Sequence, residues 1–393
     1  MLHDFEYCIY TKFVFGHDAH KKVGEELKKM HVKKVLLHHD NAKFLHDFGI
    51  LPDIENSLKS VGIDFVHFGG VEPNPIVQVV REGIKVCRNE QIDFILAIGG
   101  GSAIDSAKAI ALGVPYQGDV WDFFVKKAIP QDRLSVGAVL TIPAAGSESS
   151  ETTVITDKTL HAKQSYADAF NRPKIAFMNP SLSCTLPAHM SACGMADIFS
   201  HVTERYMTPD THFGVMDYMC EGVLKCMLET APKVMEAPED YVNRAEVMWM
   251  GSLGTNNMIG LGRARDWASH TIAHQLSAFY NMIHGETLSI IMPAWMRYVY
   301  KENLPRFVRY AVEVYGVEND LNNQEKVALA GIECCKNFFK SLGMPTSLTE
   351  VGIPTDKLRE MSAAAIESRN GKPIGSIKEL TAEDVYNIYM LAV

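Results

Sequence analysis

No stretch of this chain approaches the ~18 consecutive apolar residues that a membrane-spanning helix requires, and no amino-terminal signal peptide is evident. Its eight cysteines form no Cys-x-x-Cys pair, which removes the usual redox and zinc-finger spacings and makes a reducing cytoplasm the expected compartment. Net positive charge is absent too: 38 Lys and Arg face 47 Asp and Glu, a formal charge of −9, which excludes a broad nucleic-acid footprint or an anionic membrane surface as partner. Neither the His-Glu-x-x-His signature of zinc peptidases nor the Gly-x-Gly-x-x-Gly dinucleotide fingerprint occurs, and no repeat or low-complexity tract is present. Hydrophobic residues make up 47% and charged residues 22%, as in a folded enzyme of two or three domains.

Five metal-type side chains crowd into two short segments. In GMADIFSHVTERY, Asp197 and His201 are four apart, so a helix places both on one face about 6 Å apart. In DWASHTIAHQLSAFYNMIHGETL, His270 and His274 repeat that spacing, while His284 would stand about 21 Å from His270 on an unbroken helix. A shared ion therefore requires the chain to turn between them, and Tyr280-Asn281 and Gly285 offer the breaks. A carboxylate with imidazoles suits Zn, Fe(II), Co or Mn. Either pair alone reads equally as an ordinary i,i+4 contact; two such patches in one chain point to a catalytic metal site.

A second chemistry lies upstream. In IDFILAIGGGSAIDSAK the apolar run Phe94 to Ile98 reads as a buried parallel strand and Ala103 onward as a helix, leaving Gly99 to Ser102 as the turn between them. Glycines without Cβ let a diphosphate approach the backbone, and the helix start attracts its charge. Lys33 to Asn41 reads as another strand, at whose end Asp40 would accept from an adenosine ribose and repel a 2′-phosphate, or would simply cap a turn. The hydroxyl-rich loop Thr141 to Ser150 suits the same groove, although connecting loops share that composition.

Alternating strand and helix patterns occupy residues 1 to 185, with strands expected at 34–38, 62–68, 93–98, 136–142 and 174–178 and an amino-terminal strand pair within Phe5 to Phe15. Beyond residue 185 the pattern becomes helical, as at 212–235, 239–260 and 324–342. The expected fold is α/β, a Rossmann-like dinucleotide-binding domain over 1–185 followed by an all-helical metal-binding and catalytic domain over 186–393. Trp267, Phe279 and Tyr280 beside the candidate ligands read as core or as a wall for short aliphatic chains. Cys184 and Cys193 read as buried structural cysteines.

Taken together, GGGSAIDSAK, PAAGSES, GMADIFSHVTERY and DWASHTIAHQLSAFYNMIHGETL resemble the iron-containing, group III alcohol dehydrogenase family along essentially the whole chain, with forms closest to its butanol dehydrogenase and broad-range aldehyde reductase branch. The resemblance implies Asp197, His201, His270 and His284 as ligands of one divalent ion, Fe(II) or Zn(II). It makes His274 a non-ligand histidine near nicotinamide and substrate, placed to relay a proton, to position water or to hold a neighbouring ligand. It implies nucleotide contacts at Asn74, Gly100, Gly101, Ser102, Asp105, Thr141, Ser150 and Lys163, and a homodimer. Two positions depart from the branch: Asp40-Asn41-Ala42 stands where a Gly-Gly-Ser turn is frequent, and Ala145 replaces a frequent Thr. With Asp40 counted among the cofactor residues, the first departure favours NAD(H) over NADP(H). The activity implied is hydride transfer between a nicotinamide and a small aliphatic alcohol or aldehyde. A metal- and NAD-dependent lyase resembling dehydroquinate synthase is the alternative.

Overall fold

The computed structural model describes residues 3–41, 43–160, 162–369 and 373–393; Ala42, part of the turn after the second strand, lies outside them. The chain divides into two compact units, Cys8–Thr185 and Leu186–Val393, the latter joined by the amino-terminal residues through Tyr7.

Six strands of the first unit form a wholly parallel sheet: β1 Lys12–Phe15, β2 Lys34–His39, β3 Asp64–Phe68, β4 Phe94–Gly99, β5 Ser135–Leu140 and β8 Ile175–Met178, in the order β1-β8-β5-β4-β2-β3. Parallel strands covered on both faces need near-continuous apolar sequence, and β4, FILAIG, is buried at every residue. Helix Ile50–Lys59 buries Ile50, Leu51, Ile54 and Leu58, one stripe at helical spacing, in a core shared with Val35, Leu37, Leu96 and Ile98. The order of strands reverses between β2 and β4, because β3 lies to one side of β2 and every later strand to the other. The carboxyl ends on either side of such a switch point frame the binding crevice of α/β sheets, and here they lead into Asp40 and Gly100.

Two features differ from the sequence expectation. The amino-terminal strand pair is a single strand, β1, parallel to β8; residues 3–11 take no regular structure, and the His3 amide donates to Gly262 O instead of to a hairpin partner. An antiparallel hairpin, β6 Thr152–Asp157 with β7 Ala162–Ala167, was not expected: AKQSYA is polar and half exposed, without the alternation that marks a strand, whereas TTVITD is β-branched and alternates in burial. The hairpin supports the Asn74 loop, since Thr156 N donates to Pro75 O at 2.8 Å.

The second unit is helical: Ala188–Tyr206, Val215–Glu236, Tyr241–Thr255, Ala268–Tyr280, His284–Val299, Leu304–Tyr315, Gln324–Ser341, Leu358–Ser368 and Ala382–Leu391. Among the described residues its only β pairing is the isolated bridge Ile374–Leu380. Phe199, Trp295, Phe307, Tyr310, Phe339 and Tyr389 are fully buried in its core. Arg306 is buried there as well, donating to Asp217 Oδ1 (2.6 Å) and to the carbonyls of Tyr206 (2.9 Å) and Asp210 (3.0 Å). It thereby fixes the chain leaving helix Ala188–Tyr206. Removing one member of a buried ion pair strands its partner, so Arg306→Met should lower stability by about 3–5 kcal/mol. Urea unfolding followed by tryptophan fluorescence reads this, and a loss under about 1 kcal/mol would mean that Arg263, 2.7 Å from the same Asp217 oxygen, carries the charge balance alone.

Candidate active site

Helix Ala188–Tyr206 holds Asp197 and His201 one turn apart, helix Ala268–Tyr280 holds His270, and His284 begins the next helix. A single carboxylate oxygen, Asp197 Oδ1, faces three imidazole nitrogens: His201 Nε2 at 3.4 Å, His270 Nε2 at 3.6 Å and His284 Nε2 at 3.8 Å. The ligand atoms of Asp197, His201 and His270 all lie within 4.8 Å of one another. Ligands about 2.1 Å from a tetrahedral cation stand about 3.4 Å apart, so the spacing matches a coordination shell. Asp197 Oδ1 and His270 Nε2 are buried without a hydrogen-bond partner, a costly arrangement that a cation between them would relieve.

Local sequence explains how the second segment folds back. Asn281 takes the left-handed conformation (φ 53°) that ends helix Ala268–Tyr280, and the next helix starts three residues later, capped by Glu286. Gly285 then passes so close to the preceding ligand helix that a Cβ on it would lie 2.3 Å from Cys193 O. Cys193 is one turn before Asp197, so this contact between backbones is what brings His284 to the carboxylate.

The histidines are prepared differently. Burial, reinforced by His270 and Arg205, holds His201 well below the ordinary imidazole range, in the neutral form that a metal needs. For His270 burial works in the same direction, but Glu204 and Asp197 outweigh it and raise its pKa to about 9. Glu204 is fully buried, takes His270 Nδ1 on Oε2 and accepts the His270 backbone N–H on Oε1 at 3.1 Å. A carboxylate on Nδ1 leaves Nε2 to point at the ion and raises the ring's basicity. Glu204 was not singled out in the sequence, although it lies seven residues after Asp197, two turns along the same helix. His274 sits beside the cluster, its ring 5.0 Å from that of His284 and 6.4 Å from that of His270. Trp267 packs edge-on against His201 and His270 with Arg205 stacked on it, whereas Phe279 and Tyr280 pack against the core.

In the α/β unit, Asp40 follows β2, Gly100 alone separates β4 from helix Gly101–Gly113, which takes in Gly101 and Ser102 of the expected turn, and Thr141 follows β5, on adjacent strands in register. Gly99 has φ +153°, and Gly100 passes Ile142 so closely that a Cβ would meet it at 3.0 Å. Thr141 Oγ1 is buried without a hydrogen-bond partner. Asn74 Oδ1 accepts from Lys163 Nζ at 2.8 Å, which joins two of the expected contact residues. Asp105 and Ser150 are instead engaged within the protein: Asp105 accepts from Ser147 and Val154, and Ser150 Oγ accepts from the Thr152 amide.

A family model described as iron-containing alcohol dehydrogenase matches residues 11–180, and one for the carboxyl-terminal part of the Fe-containing alcohol dehydrogenase family matches residues 191–393. The chain belongs to the iron-containing alcohol dehydrogenase family. It is 37% identical to NADH-dependent butanol dehydrogenase A of Clostridium acetobutylicum, with 98% of each chain covered, and 32% identical to NADPH-dependent aldehyde reductase YqhD of Escherichia coli, with 97% of each covered. The crystal structure of NADH-dependent butanol dehydrogenase A from Thermotoga maritima superposes with a TM-score of 0.96 at 34% identity, covering 100% of this chain and 99% of that one. The protein is thus an oxidoreductase of the alcohol dehydrogenase and aldehyde reductase type that uses a nicotinamide cofactor and a metal.

Two variants of this iron-containing alcohol dehydrogenase test the geometry of the candidate metal site. Glu204→Gln should weaken metal affinity about 10–100-fold in competition with a chromophoric chelator, the usual cost of losing a carboxylate behind a ligating imidazole. Gly285→Ala should lower it by about tenfold or more through displacement of His284, with helicity by circular dichroism retained; metal binding equal to the parent's would show that the backbone approach is dispensable.

Proposed function

We propose that this chain reduces short aliphatic aldehydes to alcohols with NADH, using one Fe(II) ion held by Asp197, His201, His270 and His284. The convergence of Asp197 Oδ1 with three Nε2 atoms at 3.4–3.8 Å carries the reading. When bound, the cation supplies Lewis acidity toward the aldehyde oxygen and the nicotinamide supplies hydride. Three imidazoles and one carboxylate suit Fe(II) and Zn(II) alike, and the family match favours iron.

Asp40 at the carboxyl end of β2 supports NADH, because a carboxylate there accepts from a ribose hydroxyl and repels a 2′-phosphate. Relatives whose names specify NADH reach 37% identity, against 32% for the NADPH-dependent reductase. On this reading the Gly99–Ser102 turn and Thr141 hold the diphosphate, and the Asn74–Lys163 pair lines the same site. His274, one turn beyond His270 and with its ring 5.0 Å from that of His284, would supply the proton that the product alcohol takes up. Phe15, 42% exposed on edge strand β1, supports association as a homodimer. No helix among the described residues is long and apolar enough to cross a membrane, which accords with a cytoplasmic enzyme.

The test is oxidation of NADH and of NADPH by butanal with anaerobically prepared protein, before chelation and after restoration with Fe(II) or Zn(II). Turnover should vanish on chelation, return best with Fe(II), and favour NADH by about tenfold or more in kcat/KM, roughly 1.4 kcal/mol. Preference for NADPH would remove Asp40 from the cofactor site. Turnover that survives complete chelation would sink the metal reading.

A further inference from the structure

Lys108 is fully buried, yet its ammonium has a partner for every proton: Ser147 Oγ at 2.8 Å, Ser150 O at 3.0 Å and Thr152 O at 2.9 Å. All three acceptors lie on the hydroxyl-rich connection that leaves β5 or on Thr152, the first residue of β6. Asp105, one turn earlier on helix Gly101–Gly113, holds the same connection. Its Oδ1 accepts from Ser147 Oγ (2.5 Å), its Oδ2 from Val154 N (2.9 Å) and its carbonyl from Thr153 Oγ1 (2.7 Å). The helix is itself pinned to the sheet by Ser106 Oγ, 2.8 Å from His38 Nε2, while His38 Nδ1 bonds to Phe68 O at 2.9 Å. Where the loop passes the glycine turn, a Cβ on Gly101 would stand 3.7 Å from Ala145 Cβ, in ordinary contact.

We propose that Lys108, with Asp105, is a positioning residue for the dinucleotide: from beneath, it fixes the 144–150 loop against the glycine turn, so that cofactor affinity depends on its ammonium. The proposal rests on the reading of these two loops as the diphosphate site. Three hydrogen bonds from one helix hold the loop at Ser147 and Ser150 and three more hold the start of β6 behind it, which leaves the loop little freedom to lose when a ligand arrives, whereas a loop without them must be ordered at the expense of binding.

The ammonium is also titratable within reach of ordinary buffers. Burial brings Lys108 down to about 8; Asp105 from its own helix and Glu148 from the loop oppose this, while Arg133 ahead of β5 and Arg172 ahead of β8 add to it. A neutral amine has two protons for three acceptors, so one acceptor loses its donor as pH rises through 8. Cofactor affinity should therefore be full at pH 7 and fall between about pH 8 and 9.

The experiment is NADH binding by fluorescence energy transfer on the full-length protein between pH 6.5 and 9.5, for the parent, Lys108→Met and Ser147→Ala, with thermal melts in parallel. The parent should lose affinity several-fold above pH 8. Lys108→Met should bind about tenfold more weakly at pH 7 with a flat pH profile, and its kinetic loss should fall on KM for NADH rather than on kcat. Should Lys108→Met not fold, the parent's pH profile and a weaker-binding Ser147→Ala carry the test. A folded Lys108→Met with parental affinity, or a parent whose affinity is level from pH 7 to 9.5, overturns the proposal. A parent that binds neither NADH nor NADPH at any pH overturns the loop reading beneath it instead.

Discussion

One carboxylate oxygen surrounded by three imidazole nitrogens is the arrangement on which the helical unit turns. Four polar side chains brought together in a buried position are destabilising unless a cation or a proton satisfies them, so the surrounding core must hold them there. It does so with rigid parts. Asp197 and His201 share one long helix, His270 is fixed through Glu204 on that same helix, and His284 is brought in by a backbone contact that only Gly285 permits. None of the four candidate ligands lies on a long loop, and sites built on packed helices hold closer tolerances than sites built on loops.

The local part of this design was legible in the sequence because helical periodicity converts spacing directly into geometry. Two residues four apart lie on one face whatever the rest of the fold does, which made Asp197 with His201 and the turn after Tyr280 readable. Glu204 was equally local and was overlooked, since a glutamate on a helix ordinarily reads as a solvated residue until burial is known. The approach of Gly285 to Cys193 was not legible at all, because the two are far apart in the chain and no periodic pattern links them. The same distinction runs through the α/β unit. Its buried parallel strands announced themselves by continuous apolar runs, whereas the polar strand β7 of the hairpin did not.

Asp105 shows where a resemblance and a structure give different information. The resemblance associates Ser102 and Asp105 of the motif GGGSAIDSAK with the nucleotide, yet the Asp105 carboxylate is engaged by Ser147 and Val154, and Lys108 by the same stretch of chain. A motif marks residues that work together, without distinguishing a residue that would touch a ligand from one that holds the surface the ligand meets. That distinction needs the direction of the side chain, and here both charged side chains of the helix point into the protein.

The two units consequently solve one problem, the placement of polar groups for a charged ligand, by opposite means. In the helical unit Asp197 Oδ1 and His270 Nε2 are themselves buried and left short of partners, which stores an unfavourable interaction for a cation to relieve. In the α/β unit the groups that would bind belong to turns at the ends of strands, where the backbone amides are the donors, and the buried charges beneath them are already satisfied. A dinucleotide presents many weak contacts over an extended surface, so what it requires is a surface held still; a single ion presents a few strong ones, so what it requires is a gap of the right size.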